Sequence, residues 1–111
     1  MALLVEFGMG TSLQRCDYTD AATRAVRDAL WRHSVLLAEL YDRAREDMVL
    51  DVTVGVQLPE RVDPAALEAV FPYGRPRISV VRGGLDTPRP EGGAPTVMAN
   101  AAIAISFEGV A

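Results

Sequence analysis

The chain reads as an α+β domain with the element order βαβαββ. Three observations predict it. Short apolar runs alternate with a period of two around Val5, Val52, Ile78 and Ile103. One long run with helical spacing separates the first two of these. An Asp-Pro start and a Pro-x-Gly stop frame a shorter helix between the second and third. With 111 residues, half of them apolar, the chain suits one domain around one modest core.

In strand one, Leu3, Val5 and Phe7 alternate with Leu4, Glu6 and Gly8, and the strand is expected to end in a Gly8-Met9-Gly10 turn. Gly10 to Tyr18 carry no apolar period, and either Asp17 or Thr19 can cap the helix that follows, Thr19 being the one chosen. From Thr19 to about Arg45, the residues Ala22, Val26, Ala29, His33, Leu36, Leu37, Leu40 and Ala44 share one face. A continuous helix of that length would span roughly 40 Å. His33-Ser34 is the place where it would break into two. Trp31 falls on the opposite side and suggests a covered surface.

Strand two is expected over Val49–Val56, where Leu50, Val52, Val54 and Val56 alternate with Val49, Asp51, Thr53 and Gly55. Asp63-Pro64 then opens a short helix through Val70 that Pro72 and Gly74 terminate. Strand three carries Ile78 and Val80 between Arg77, Ser79 and Val81, and ends at Gly83-Gly84. A Pro- and Gly-rich loop, Leu85 to Pro95, leads to a last strand over Thr96–Phe107. Both helices are crossovers and should lie on one side of a mixed sheet. The other face would carry Leu4, Glu6, Val49, Asp51, Thr53, Ser79, Met98, Asn100, Ala102, Ala104 and Ser106. That mixture is too apolar to be left wet, so a second copy of the chain is its expected cover.

The net charge of -4 and the scattered arginines leave no electrostatic footprint for nucleic acid. All eleven basic residues are arginine, which excludes Schiff-base chemistry and a lysine-held pyridoxal cofactor. Cys16 is the single cysteine, so an internal disulfide is excluded. No apolar run reaches the length of a membrane span and no secretory pattern opens the chain, so a cytoplasmic protein with no membrane partner is expected. The G-x-G pair lacks the third glycine of a dinucleotide site, a P-loop fails for want of lysine, and Ser12 has no adjacent base to activate it.

The chain is similar to a family of small bacterial and plant proteins, the Lin-type family, marked by G-x-G-x-D-x-H-G near the N-terminus. The likeness runs through Gly8 and Gly10, Asp17, Thr19, Ala22, Arg24-Ala25-Val26-Arg27-Asp28-Ala29, Val70-Phe71-Pro72-Tyr73-Gly74 and Gly83-Gly84-Leu85. It implies no particular activity. The element order also resembles the trimeric chorismate-mutase-like fold, in which clefts between subunits hold small ligands, with a ferredoxin-like sandwich as the alternative. The chain departs from the motif at Ser12, Gln14 and Arg15, which stand at the Asp, His and final Gly positions. Ser-x-Gln offers only neutral hydrogen-bonding groups, so neither a metal nor a cofactor is expected at this loop.

These readings converge on a homo-oligomer, with a trimer favoured, that takes a small polar or anionic metabolite between subunits. It would be a cofactor-free isomerase, cyclase, lyase or hydrolase, or else a non-catalytic ligand-binding or scaffold protein. Glu6 and Asp17 are the candidate proton-transfer carboxylates. Gly8, Gly10, Thr11, Ser12, Gln14 and Arg15 would hold the ligand, and an arginine among Arg24, Arg27 and Arg75, the last beside the Tyr73 phenol, would hold its negative charge.

Overall fold

The computed structural model describes residues 4–13, 15–30 and 42–107. Its elements are β1 (Leu4–Ser12), α1 (Tyr18–Ala29), β2 (Met48–Val56), α2 (Pro64–Glu68), β3 (Arg75–Arg82), β4 (Leu85–Thr87) and β5 (Thr96–Phe107), with 3-10 turns at Arg45–Asp47 and Pro59–Arg61. The order is the expected one with a short strand added. The sheet runs β1-β5-β2-β3, β5 lying antiparallel to both β1 and β2, while β2 and β3 are parallel. A parallel pair needs a crossover, and α2 supplies it.

The core lies between α1 and one face of the sheet. Ala21, Ala22, Ala25, Val26 and Ala29 of α1 are buried against Leu50, Val52, Val54, Val97, Ala99, Ile103 and Ile105. Leu67 of α2 and Tyr18 complete that layer. The opposite face carries Val49, Asp51, Thr53 and Gly55 of β2 beside the even-numbered residues of β5, as the alternation in those strands requires.

Strand β1 differs from the expected reading in two respects, and both have one cause. It does not turn at Gly8-Met9-Gly10 but continues through Ser12, paired with β5 from Leu4↔Ile105 to Ser12↔Val97. Its even-numbered residues, including Glu6, face the helix, while Val5, Phe7 and Met9 point to the open face. A Cβ on Gly8 would stand 2.3 Å from the Ala29 nitrogen and 2.5 Å from the Ala25 carbonyl oxygen. One on Gly10 would stand 2.4 Å from the Ala25 nitrogen. The glycines therefore allow the backbone of α1 to rest directly on β1, and that contact, more than hydrophobicity, chooses which face of the strand turns inward.

Helix α1 is capped by Asp17 and not by Thr19, the Asp17 carboxylate accepting from the Asp20 amide at 2.9 Å. The Thr19 hydroxyl instead accepts from the Asp63 amide at 3.0 Å and donates to the Arg61 carbonyl, tying α1 to the second crossover. The helix ends at Ala29, with Leu30 as its C-cap, and does not run on to Arg45. Trp31, His33, Ser34, Leu36, Leu37 and Leu40, and with them the suggested break, lie outside the described residues; Ala44 is exposed ahead of the first 3-10 turn. Asp63 caps α2 as expected, but Ala69 closes that helix before Val70.

The first residues of the expected Pro- and Gly-rich loop form β4, which takes up β5 at Met98 where β2 leaves it at Asn100. The chain crosses from the line of β3 to that of β2 through Gly83 and Gly84. Gly84 has φ +63°, and a Cβ there would meet the Met98 carbonyl oxygen at 2.1 Å. Gln57 holds this corner, its side-chain amide donating to the carbonyls of Gly83 and Gly84 at 3.0 and 3.1 Å.

Candidate functional site

Two places merit a functional reading, one at the end of β1 and one on the open face of the sheet. At the first, Ser12, Leu13, Arg15, Asp17, Asp20 and Arg24 line a polar depression of about 560 Å³. The chain gathers them because β1 ends at Ser12 and α1 begins a few residues later, folding back along the strand. Ser12 is buried, and its hydroxyl accepts from the Asp17 amide at 3.2 Å, closing the loop. Asp17 spends its carboxylate on the helix cap. Arg24 reaches back to donate to the Thr11 carbonyl at 3.1 Å and pairs with Asp20 at 3.4 Å. Arg15 is exposed at the rim, and Gln14 lies outside the described residues.

The Gly8-Met9-Gly10 turn expected to hold the ligand is not there. Gly8 and Gly10 are extended residues beneath α1, and the first turn of that helix already faces the carboxylates of Asp17 and Asp20. The remaining candidates are dispersed. Glu6 is buried on the helix side of β1, about 20 Å along the strand from Ser12 at roughly 3.3 Å per residue. Arg27 sits in the last turn of α1, where its charge suits the helix dipole. Tyr73 and Arg75 lie at the opposite end of the sheet, where β3 begins, and Arg75 comes within 3.7 Å of Asp47. The structure thus unites Ser12, Arg15, Asp17 and Arg24, and separates them from Glu6, Tyr73 and Arg75.

A pair the sequence did not suggest stands beside this depression. The Tyr18 hydroxyl donates to Asp86 of β4 from a ring that is buried at the start of α1. Burial first, then the hydrogen bonds to Asp86 and to the Cys16 thiol, push the Tyr18 phenol well above its ordinary range. The second Asp86 oxygen is buried with no hydrogen-bond partner among the described residues. Arg61 lies over the Tyr18 ring, 6.0 Å from its centroid. Cys16, half-buried and in the left-handed region at φ +52°, makes the bend that brings Tyr18 inward. Only the pairing of β4 with β5 brings Asp86 here, and β4 has no alternating pattern long enough to be read in advance.

The open face is ordered in rows across the strands. Val5, Ala104, Asp51 and Arg77 form one row, Phe7, Ala102, Thr53 and Ser79 the next, and Met9, Asn100, Gly55 and Val81 a third. Phe7 is 76% exposed and Met9 60%, with Val5 and Val81 each at 45%. Between these two ridges the small residues of β5 and β2 leave a hollow of about 520 Å³, bordered by Phe7, Thr53, Gly55, Val81 and Asn100. Arg77 and Asp51 pair at 2.9 Å on the same face. Among the described residues no group of three or more His, Cys, Asp or Glu side chains could hold a metal ion, and no helix is long and apolar enough to cross a membrane.

A solved structure from Nostoc punctiforme PCC 73102, described as an FtsZ-like protein of unknown function, superimposes with a TM-score of 0.84 at 30% identity, over 98% of this chain and 97% of that one. Among curated proteins nothing matches. The profile of the Lin0512 family, described as conserved hypothetical proteins, matches residues 2–105, so the chain belongs to that family.

Proposed function

We propose that the chain is a small-molecule-binding subunit of a homo-oligomer, with its ligand held between the open face of the sheet and a sister copy. The observation that carries this reading is the ridge of Val5, Phe7 and Met9, an apolar run on a face that no helix covers among the described residues. Burying such side chains removes apolar area from water at about 25 cal/mol per Å². A sister copy supplies the cover without requiring a second protein. Three copies is the number that the chorismate-mutase-like arrangement implies, and the cytoplasm is the expected place of work. Nucleic acid is a poor partner, because Arg24, Arg75, Arg77 and Arg89 each already face a carboxylate.

The reading favours binding over turnover, since Asp17 is engaged as a helix cap and Glu6 is buried on the side away from the open face. A second reading, a cofactor-free acid-base enzyme acting on a small polar or anionic metabolite, is favoured by the Tyr18–Asp86 pair with its spare buried oxygen. The experiment is a metabolite screen by thermal shift, followed by turnover assays of each hit with wild type, Glu6→Gln, Asp17→Asn and Asp86→Asn. Hits that bind and are recovered unchanged support the binding reading. Turnover that one of these substitutions abolishes without loss of binding replaces it with the enzymatic one.

A further inference from the structure

The hollow on the open face is built around the Asn100 side chain, with Thr53 and Arg82 also in its lining. It stands in the row Met9, Asn100, Gly55 and Val81, so its neighbours across the sheet are two apolar side chains and a glycine. The side chain lies low across Gly55: a Cβ on Gly55 would come within 2.4 Å of the Asn100 Oδ1. The missing Cβ is therefore what lets the amide recline at the bottom of the hollow. Its Oδ1 and Nδ2 have no hydrogen-bond partner among the described residues. Phe7 and Val81 rise on either side, Ala102 keeps the neighbouring position shallow, and the Thr53 hydroxyl is exposed in the adjacent row.

A side-chain amide presents one donor and one acceptor side by side in a plane. A cover lying over Phe7 and Val81 would take that amide out of water, and an amide buried without partners is costly. What satisfies it must be flat enough to enter between the ridges and must carry a matching acceptor and donor on adjacent atoms. The hollow, at about 520 Å³, is within the ~300–1,000 Å³ usual for small-ligand sites.

We propose that Asn100 is the recognition residue of a site for planar cyclic amides, heterocycles with a uracil- or lactam-like N–H and C=O edge, the ring packing against Phe7 over Gly55. The inference rests on the reading of the open face as the ligand-bearing surface, and it names the ligand class that face takes. The amide pairs edge to edge with the ring, Nδ2 donating to the ring carbonyl and Oδ1 accepting from the ring N–H, as amide side chains do with base edges.

The test uses uracil as probe and its N,N′-dimethyl derivative as the matched compound whose N–H groups are blocked. Titrations of the isotope-labelled full chain follow the Asn100 side-chain amide resonances, with the molar mass of each sample read by light scattering. Uracil is expected to shift those resonances and to bind at least about tenfold more tightly than the dimethyl compound. Asn100→Leu, at an exposed position, should keep the fold and lose that preference. Gly55→Ala should weaken uracil binding by displacing the amide, and Thr53→Val serves as a second, milder probe of the hollow. Equal binding of the two compounds, no binding of uracil, or a preference that survives in Asn100→Leu overturns the proposal. The molar mass separates this from the parent reading: an oligomer that ignores uracil defeats only the ligand class, whereas a folded monomer defeats the shared surface.

Discussion

The Asp28 carboxylate accepts from the backbone amide of Met9 at 3.0 Å, so the helix that covers one face of the sheet also guards its edge. β1 is an edge strand, paired with β5 on one side. Its outward amides and carbonyls are a template for unwanted pairing with other chains. One turn earlier on α1, Arg24 engages the Thr11 carbonyl in the same way. Arg24 thus has a local task at this edge, on the Thr11 carbonyl. Asp28→Ala should cost about 1 kcal/mol in urea unfolding and raise turbidity on warming, because it frees the Met9 amide. Asp28→Asn, which keeps an acceptor, should do neither.

The closeness of α1 to β1 gives the sharpest stability prediction. Gly8→Ala sets a methyl group against the backbone of Ala25 and Ala29, where no side chain can rotate away. Overpacking of this kind costs about 3 kcal/mol or more, and the loss should appear as a large drop in the midpoint of thermal unfolding followed by circular dichroism. Gly92→Ala is the control, since a Cβ there meets nothing within 4 Å and only its φ of +84° resists the change; its effect should be about 1 kcal/mol.

Asp17 separates structure from chemistry. As the cap of α1 it should lose about 1 kcal/mol on replacement by Ala and almost none on replacement by Asn, which accepts the same amide hydrogen. Chemical denaturation of the two variants measures this. A turnover defect in Asp17→Asn with unchanged stability would assign the carboxylate a charge-dependent role as well.

The buried Tyr18 phenol makes stability depend on alkaline pH. Its folded pKa is raised above the unfolded value of 10.0, so above pH 10 the unfolded chain releases the proton while the folded chain holds it. Its contribution is therefore complete below pH 10 and declines as the pH climbs toward the folded value. Urea midpoints measured on either side of pH 10 should fall more steeply for wild type than for Tyr18→Phe, which has no proton to release. Equal slopes would mean that the phenol is not held as described.

Much of the sheet was legible in the sequence because β2, β3 and β5 alternate cleanly and because Asp63-Pro64 is a strong helix start. β1 misled for a physical reason. Val5 and Phe7 are large apolar residues, yet they face outward, because only a row containing glycine leaves room for a helix backbone. The signal was present but divided between two elements: Gly8 and Gly10 in the strand match Ala21, Ala25 and Ala29 four apart in the helix. For the candidate site, Ser12, Arg15, Asp17 and Arg24 follow from their nearness in the chain. Asp86 and Asn100 do not, since the first depends on a three-residue strand and the second on which residues of β1 and β3 stand beside it.

The account turns on the open face, and one measurement addresses it directly: the molar mass in solution, by light scattering, of wild type and of Phe7→Asp over a wide range of concentration. Phe7 is 76% exposed in the single chain, so a carboxylate there leaves the monomer fold intact and charges the ridge that a sister copy would bury. The account predicts a wild-type oligomer of fixed mass and a well-folded Phe7→Asp monomer. A wild type that stays monomeric at every concentration, or a Phe7→Asp variant that keeps the wild-type mass, would contradict it.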